Sequence, residues 1–568
     1  MKILNKGALF IIYLLSCFYS HAQLPVVNYT QQKKITCNNA AVVSAHTLAS
    51  KAGILILKKG GNAFDAAIAT QLALAVVYPG AGNLGGGGFL VAHLKNGKNI
   101  FLDYREKAPA AAYRDMYLDK DSVPVPALAQ KGHLASGTPG TVAGLFASLK
   151  YAKLAFSTLV DPAIKLAEQG FRITAMQAQS LNESRNIFLQ VNRNPTAFVK
   201  DSRLWKAGDI LKQPELAATL KKIRNKGLKE FYEGSIAKQI EQEMRSAGGI
   251  ISLHDLENYK AVLREPVDFD YKGYRVISAA LPSSGGVLLN QMMKMVEKKN
   301  ISALGFQTAE SVQLMVEIER RAYADRAYFL GDADFIKVPV KTLVSHNYLQ
   351  QRMNDYIPGK AGSSKITGSG KIYESEETTH ISIIDNEGNA VAVTTTLNDS
   401  YGSRVVVSGA GFILNNQMDD FSIKEGYPNL YGAVGNAANA IAANKRMLSS
   451  MTPSIVLKNN QPYIIAGSPG GTTITTTVFQ TLLNILEFGL SPEDAVNKPK
   501  FHHQWLPDII HTESSFPVSV TDQLKQMGYT VTPRLPIGRT ELIVVNKSHA
   551  KKITAIADSR GDDDAEGY

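Results

Sequence analysis

Cysteine is nearly absent from this 568-residue chain: there are two, Cys17 and Cys37, and Cys17 falls in an N-terminal stretch that reads as a leader. Removal of residues 1–22 would leave Cys37 alone, which excludes a disulfide within one mature protein even in an oxidising compartment. No clustered Cys/His pattern, HExxH string, GxSxG elbow or Walker A loop occurs. Metal-assisted hydrolysis, the α/β-hydrolase serine and phosphate-loop chemistry therefore lack their signatures. No internal repeat is evident. The net charge of +11 comes from dispersed lysines and arginines without a basic stripe or an interleaved aromatic platform, which argues against a nucleic-acid partner.

What is present begins with a leader pattern. Lys2 and Lys6 precede an apolar run from Ala8 to Phe18, and Ser20-His21-Ala22 offers small residues where a signal peptidase reads. The run is shorter than the about 20 apolar residues that a spanning helix requires. Cleavage after Ala22 is expected, with export to the periplasm or medium. It would take two lysines and no acids, lowering the net charge to +9. Leu14-Leu15-Ser16-Cys17 offers a second reading, a lipoprotein signal with the chain anchored at Cys17.

With 45% hydrophobic and 20% charged residues, the chain can bury a large core. Thr47–Leu57 and Asn62–Val77 read as helices, the second apolar nearly all round and so buried. Gly80-Ala81-Gly82-Asn83-Leu84-Gly85 spells the dinucleotide fingerprint, but a helix precedes it and an extended Gly88-Phe89-Leu90-Val91 follows. That order is the reverse of a Rossmann turn, and a turn feeding a central strand is the better reading. Helical patterns dominate from Thr141 to Tyr259, including Pro214–Arg245, and suit an outer layer. Periodicity alone gives mixed α/β.

The most informative stretch starts at Glu377. From Gly359 to Glu376 the chain reads GKAGSSKITGSGKIYESE, too poor in apolar residues to order itself. Two β-branched runs follow, His380–Asp385 and Ala390–Thr396, joined by Asn386-Glu387-Gly388-Asn389 as in a β-hairpin. Alternation puts Thr378, His380 and Ser382 on one face, and Ala392, Thr394 and Thr396 on the matching face of the return strand. A threonine hydroxyl needs a neighbouring base, and a free α-amine on the same residue can serve. A break between Glu377 and Thr378 would create that amine. A threonine pair by itself is an ordinary strand former.

The accompanying strings change the balance. They are Leu102-Asp103-Tyr104-Arg105-Glu106, Thr378-Thr379-His380, Thr396-Leu397-Asn398, Asn415-Asn416-Gln417-Met418-Asp419-Asp420-Phe421, Leu448-Ser449-Ser450-Met451 and Gly467-Ser468-Pro469-Gly470-Gly471. Together and in order, from about Ala40 to the C-terminus, they resemble the γ-glutamyltransferases (glutathione hydrolases) among the N-terminal nucleophile hydrolases. The resemblance implies an α+β, four-layer αββα sandwich, self-cleaved into a large chain, 23–377, and a small chain, 378–568, that form a heterodimer within one catalytic domain.

The resemblance also implies roles. Thr378 becomes nucleophile after cleavage at Glu377-Thr378, and Thr396 orients its amine. Arg105 suits the donor's α-carboxylate through its planar fork, aided by Ser449 and Ser450. Asn398, Gln417 and Asp420 supply oxygens for the α-ammonium. The backbone amides of Gly470 and Gly471, at a strand-to-helix junction, stabilise the oxyanion. Phe421–Asn436 resembles a lid, with Tyr431 covering the glutamyl group. Met447 stands where the family commonly has proline, which could re-aim the two serines.

The implied donors are glutathione and related γ-glutamyl compounds, with water or amino acids as acceptors and neither cofactor nor metal. Two alternatives stand beside this: a β-lactam side-chain acylase acting on cephalosporin or glutaryl substrates with the same fold, and a non-catalytic periplasmic binding protein. Arg105, Asp420 and the lid fit an amino-acid headgroup better than the first, and the second predicts an unbroken chain.

Overall fold

The computed structural model describes residues 31–364, 378–546 and 552–568. The leader at 1–22, the lipidation alternative at Cys17 and Glu377 of the expected cleavage pair lie outside the described residues.

Two seven-stranded antiparallel sheets form the centre. One runs, in spatial order, through Lys34–Cys37, Lys552–Ile556, Glu541–Asn546, Gln461–Gly467, Ser454–Lys458, Tyr274–Ser278 and Val267–Tyr271. The other runs through Asp564–Gly567, Ala41–Ser44, Thr378–Ile384, Ala390–Thr396, Gly87–His93, Asn99–Tyr104 and Val262–Arg264. Each sheet draws strands from both sides of Thr378, so a break before that residue leaves both sheets hydrogen-bonded across the two pieces.

Alternation along the strands gives each sheet two buried faces, and the burial follows. Val43, Phe89, Val91 and Ala392 of the second sheet pack against Ile277, Ile455, Ile465 and Ile543 of the first. The opposite face of the second sheet, with Ile381, Ile383, Val391 and Val393, meets helices Thr47–Lys58 and Ala63–Val77. The first sheet turns Val456, Ile464 and Ala466 toward helices Gly285–Val296, Ala309–Phe329 and Thr473–Leu486. The layers therefore run helix, sheet, sheet, helix, as the resemblance implies. Helices between Thr141 and Ser246, including Phe156–Gln169 and Pro214–Lys226, extend the outer layer over the second sheet.

The sequence readings of the nearby elements hold to within two residues. Ala63–Val77 is buried along its whole length, and Asn62 caps it by accepting from the amides of Phe64 and Asp65. The glycine-rich Gly80–Gly85 is a turn between that helix and the strand Gly87–His93, with none of the strand-to-helix order of a nucleotide site. There the chain passes so close to a neighbour that a Cβ on Gly85 would meet the backbone carbonyl of Ile413.

The hairpin pairs Thr378 with Thr396, His380 with Thr394 and Ser382 with Ala392. Its polar face points between the sheets: His380 Nδ1 lies 2.8 Å from Thr394 Oγ1 and Nε2 lies 3.2 Å from Ser382 Oγ. Ser382 Oγ in turn donates to the carbonyl of Glu541 in the facing sheet at 2.9 Å. Gly467 leaves room for the imidazole, because a Cβ there would run into the ring. Burial lowers the pKa of His380 to about 3. Folded His380 thus stays neutral while an unfolded imidazole takes up a proton below about pH 6.5. Stability falls as pH drops through that window, by about 1.4 kcal/mol per pH unit for one fully differential proton. In His380→Gln the urea midpoint should fall less steeply between pH 6.5 and 4.5 than in the unaltered protein. Equal slopes would remove His380 from the acid sensitivity.

Candidate active site

Thr378 opens its strand at the edge of a small cavity, whose lining includes Arg105, Arg326, Thr396, Asp420 and Gly471. Its hydroxyl is buried and lies 3.4 Å from Thr396 Oγ1, its cross-strand partner. Thr396 Oγ1 also accepts from the amide of Asn398 at 2.8 Å, which fixes its rotamer against the turn that follows. Asn398 sits in the left-handed region at φ 83°, a conformation asparagine tolerates better than most residues. Its side-chain amide donates to the carbonyl of Asn416 at 3.1 Å, tying the end of the hairpin to the short turn Gln417–Asp420.

Opposite the threonines stands the cation. Arg105 follows the strand Asn99–Tyr104 and is 1% exposed, so it is no surface arginine. Its amide donates to Asp103 Oδ1 at 2.9 Å, and Tyr259 donates to its carbonyl at 2.7 Å. The guanidinium holds Asp420 in a short ion pair, lies 3.4 Å from Glu106 and donates to the carbonyls of Met447 and Leu448 at 3.3 and 3.4 Å. Burial raises the pKa of Glu106 to about 7 in spite of Arg105. Asp420 also accepts from Gln417 Nε2 at 2.7 Å and Asn429 Nδ2 at 3.3 Å. Gln417 Oε1, by contrast, is buried without a hydrogen-bond partner. A buried acceptor left unpaired costs about 1–3 kcal/mol, so this oxygen is suited to accept from a donor.

Ser449 and Ser450 line the same cavity and are held from behind. The amide and hydroxyl of Ser284 both donate to the Ser449 carbonyl, at 2.8 and 2.7 Å. Met447, in the position expected to be proline, buries its side chain with Met116, Tyr117 and Phe421 while its carbonyl receives Arg105. The serines keep their place beside the arginine, and the methionine fills a hydrophobic cluster.

Gly470 and Gly471 join the strand Gln461–Gly467 to the helix Thr473–Leu486, with φ of 133° and 54°. Neither amide donates a hydrogen bond among the described residues. Gly471 lines the cavity, and a Cβ on Gly470, its neighbour, would run into Thr473 Oγ1. Tyr431 lies directly over this turn: its ring occupies the space a Cβ on Gly471 would need, and its hydroxyl donates to the carbonyl of Asn398. The segment carrying it is latched by Asp419, which accepts from the amide of Leu430 at 2.9 Å and whose pKa burial raises to about 7.

Every expected site residue except Glu377 is thus described, and all but Gly470 line one cavity. Three neighbours escaped sequence reasoning. Arg326 lies on the long helix Ala309–Phe329, one of three arginines there, and nothing in its local pattern sets it apart. Asn429 reads as a turn residue in a Gly/Pro-containing loop. Gln504 accepts from Thr472 Oγ1 at 2.5 Å and donates to the Tyr431 carbonyl at 3.1 Å, joining the glycine turn to the lid through contacts no local pattern reveals. Among the described residues no group of three His, Cys, Asp or Glu could hold a metal ion.

Comparison with known proteins agrees with this geometry. The family described as Gamma-glutamyltranspeptidase matches residues 49–568. The chain is 44% identical over 540 residues to a protein named glutathione hydrolase proenzyme from Escherichia coli K12, covering 93% of each. It is 44% identical over 502 residues to one of the same name from Pseudomonas aeruginosa, covering 87% of this chain and 89% of that protein. Among solved structures it resembles the Helicobacter pylori γ-glutamyltranspeptidase, with 44% identity, a TM-score of 0.56, and coverage of 62% of this chain and 99% of that one. A cephalosporin acylase from Bacillus halodurans superposes with a TM-score of 0.81 over 95% of this chain and 99% of that one, but at 24% identity it shares the fold alone. The arrangement around Thr378 is therefore found in a chain that belongs to the γ-glutamyltranspeptidase family.

Proposed function

We propose that the chain cuts itself between Glu377 and Thr378 and then transfers the γ-glutamyl group of glutathione or a related donor through Thr378 to water or an amino acid. The large chain is 23–377 and the small chain 378–568. In maturation the Thr378 hydroxyl attacks the carbonyl carbon of Glu377, the peptide C–N bond breaks to leave an ester and a free Thr378 amine, and water hydrolyses the ester to the Glu377 carboxylate and the Thr378 hydroxyl. That amine then serves as base for its own hydroxyl, and Thr396 orients it. In transfer, Thr378 Oγ1 attacks the donor's γ-carbonyl, the peptide or amine leaves with a proton, and water or an amino group displaces the enzyme.

The observation that carries this reading is the wall facing Thr378. Arg105 and Asp420 neutralise each other there, and Gln417 Oε1 waits unpaired beside them. An α-amino acid headgroup brings both signs at once. Its carboxylate replaces Asp420 on Arg105, with Ser449 and Ser450 as further donors, while its ammonium takes Asp420, Gln417 Oε1 and the amide oxygen of Asn398. The amides of Gly471 and Gly470 serve the developing oxyanion, and Tyr431 shields the acyl group from bulk water. The leader pattern supports export, with the mature chain beginning at Gln23. The first experiment is intact-mass analysis of the purified protein with hydrolysis of γ-glutamyl-p-nitroanilide. Two fragments, the smaller beginning at Thr378, and release of p-nitroaniline are expected; an unbroken, inactive chain refutes the reading.

Three variants divide the roles. Thr378→Ala lacks the hydroxyl for both steps and should stay a single chain on a denaturing gel; two normal fragments would rule out this nucleophile. Arg105→Lys keeps the charge but loses the fork, so the KM of γ-glutamyl donors should rise by about ten- to a hundredfold while cleavage proceeds. Unchanged KM across donors would remove Arg105 from the carboxylate site. In fully cleaved protein, Thr396→Val should lower kcat on the order of a hundredfold with little change in glutamate affinity, and Thr396→Ser should recover much of it. Valine and serine variants of equal activity would make Thr396 a strand residue only.

A further inference from the structure

Arg326 is a second buried cation in the wall of the Thr378 cavity, and the headgroup contacts above leave it without a role. It lies on the helix Ala309–Phe329, whose other buried arginines toward the C-terminal half are matched by acids. Arg320 pairs with Asp508 and Glu317, and Arg321 with Glu317 and Asp355. Arg326 forms no ion pair among the described residues. Its Nε donates to Ser284 Oγ at 3.1 Å and its Nη2 to Ser450 Oγ at 3.3 Å. Both partners are neutral hydroxyls.

A buried guanidinium satisfied only by hydroxyls has its hydrogen bonds but not its charge balance, and a desolvated charge is costly until an opposite charge arrives. Burial accordingly lowers the pKa of Arg326, against the opposing influence of Asp420. Asp420 cannot supply the balance, because Arg105 already holds it. A substrate ammonium that claims Asp420 adds to the positive charge of the two arginines, which only a further negative charge offsets. The donor's α-carboxylate is the group that brings it. Ser450, whose hydroxyl accepts from Arg326, is left with its own O–H to give to that carboxylate.

We infer that Arg326 is a specificity-determining residue, the second cation of the donor-carboxylate site, acting on the carboxylate directly and through the Ser450 hydroxyl it orients. The inference rests on the γ-glutamyl reading above and goes beyond it by assigning the selection for a free α-carboxylate to two arginines rather than one. Arg105 sits at the Asp420 end of the headgroup. Arg326 closes the serine end, so a donor with an amine but no carboxylate would leave Arg326 unmatched and Arg105 with Glu106 alone.

The test compares three anilides on fully matured protein: γ-glutamyl-p-nitroanilide, glutaryl-p-nitroanilide, which keeps the carboxylate and lacks the amine, and 4-aminobutyryl-p-nitroanilide, which keeps the amine and lacks the carboxylate. In R326Q the kcat/KM ratio of the γ-glutamyl to the 4-aminobutyryl donor should shrink by roughly ten- to a hundredfold, as should that of the glutaryl to the 4-aminobutyryl donor, mostly through KM. R326K, which keeps the charge but not the fork over two serines, should lie between, and it carries the test if R326Q does not mature. Competitive inhibition by L-glutamate should weaken in step. An equal fall for all three donors would mean a structural role only, and unchanged ratios would mean no role; either overturns the inference while leaving the γ-glutamyl activity of the unaltered protein intact. An unaltered protein that matures yet hydrolyses no γ-glutamyl anilide overturns both readings.

Discussion

Arg105 and Asp420 depend on each other. Buried as the arginine is, neither group would keep its charge cheaply without the other, and the ion pair holds the wall of the cavity in a state that a zwitterion can enter. Around it the chain spends backbone carbonyls of Met447 and Leu448, the Gln417 amide and Asn429 to fix the two side chains in place. An amino-acid headgroup exchanges one ion pair for two without adding net charge. That is a chemical reason for the site to favour α-amino acids over acyl groups of a single charge.

The proposed nucleophile, Thr378, depends on a different constraint, the hairpin register. Setting Thr378 opposite Thr396 brings the two hydroxyls to 3.4 Å, and a slip of one residue would turn Thr378 toward the helices. His380, Thr394 and Ser382 anchor the strand to the facing sheet through Glu541. Each sheet contains strands from the segments before and after Thr378, so in the proposed maturation neither piece has a complete sheet of its own. Release of the peptide bond then frees the end of one strand without loosening the layers.

Elements whose causes are local were legible in the sequence. The apolar Ala63–Val77 helix, the hairpin of β-branched runs and the turn at Gly80–Gly85 each follow from periodicity, capping or a breaker in the immediate neighbourhood. The polar face of Thr378, His380 and Ser382 also followed from alternation. The four layers and the headgroup residues were legible only through the resemblance, because Arg105, Gln417 and Asp420 are more than 300 residues apart at the extremes and meet through pairing of distant strands. Arg326, Asn429 and Gln504 were not legible at all. Their partners are a serine hydroxyl, a carboxylate and a lid carbonyl, contacts that leave no spacing pattern in the chain.

The central claim is that the Arg105–Asp420 pair is the resting form of an amino-acid headgroup site. A crystal structure of the matured protein with L-glutamate tests it most directly. The account predicts that the guanidinium leaves Asp420 for the ligand's α-carboxylate, with the ammonium between Asp420 and Gln417 Oε1. Glutamate bound elsewhere, or bound here with the Arg105–Asp420 pair intact, would contradict it.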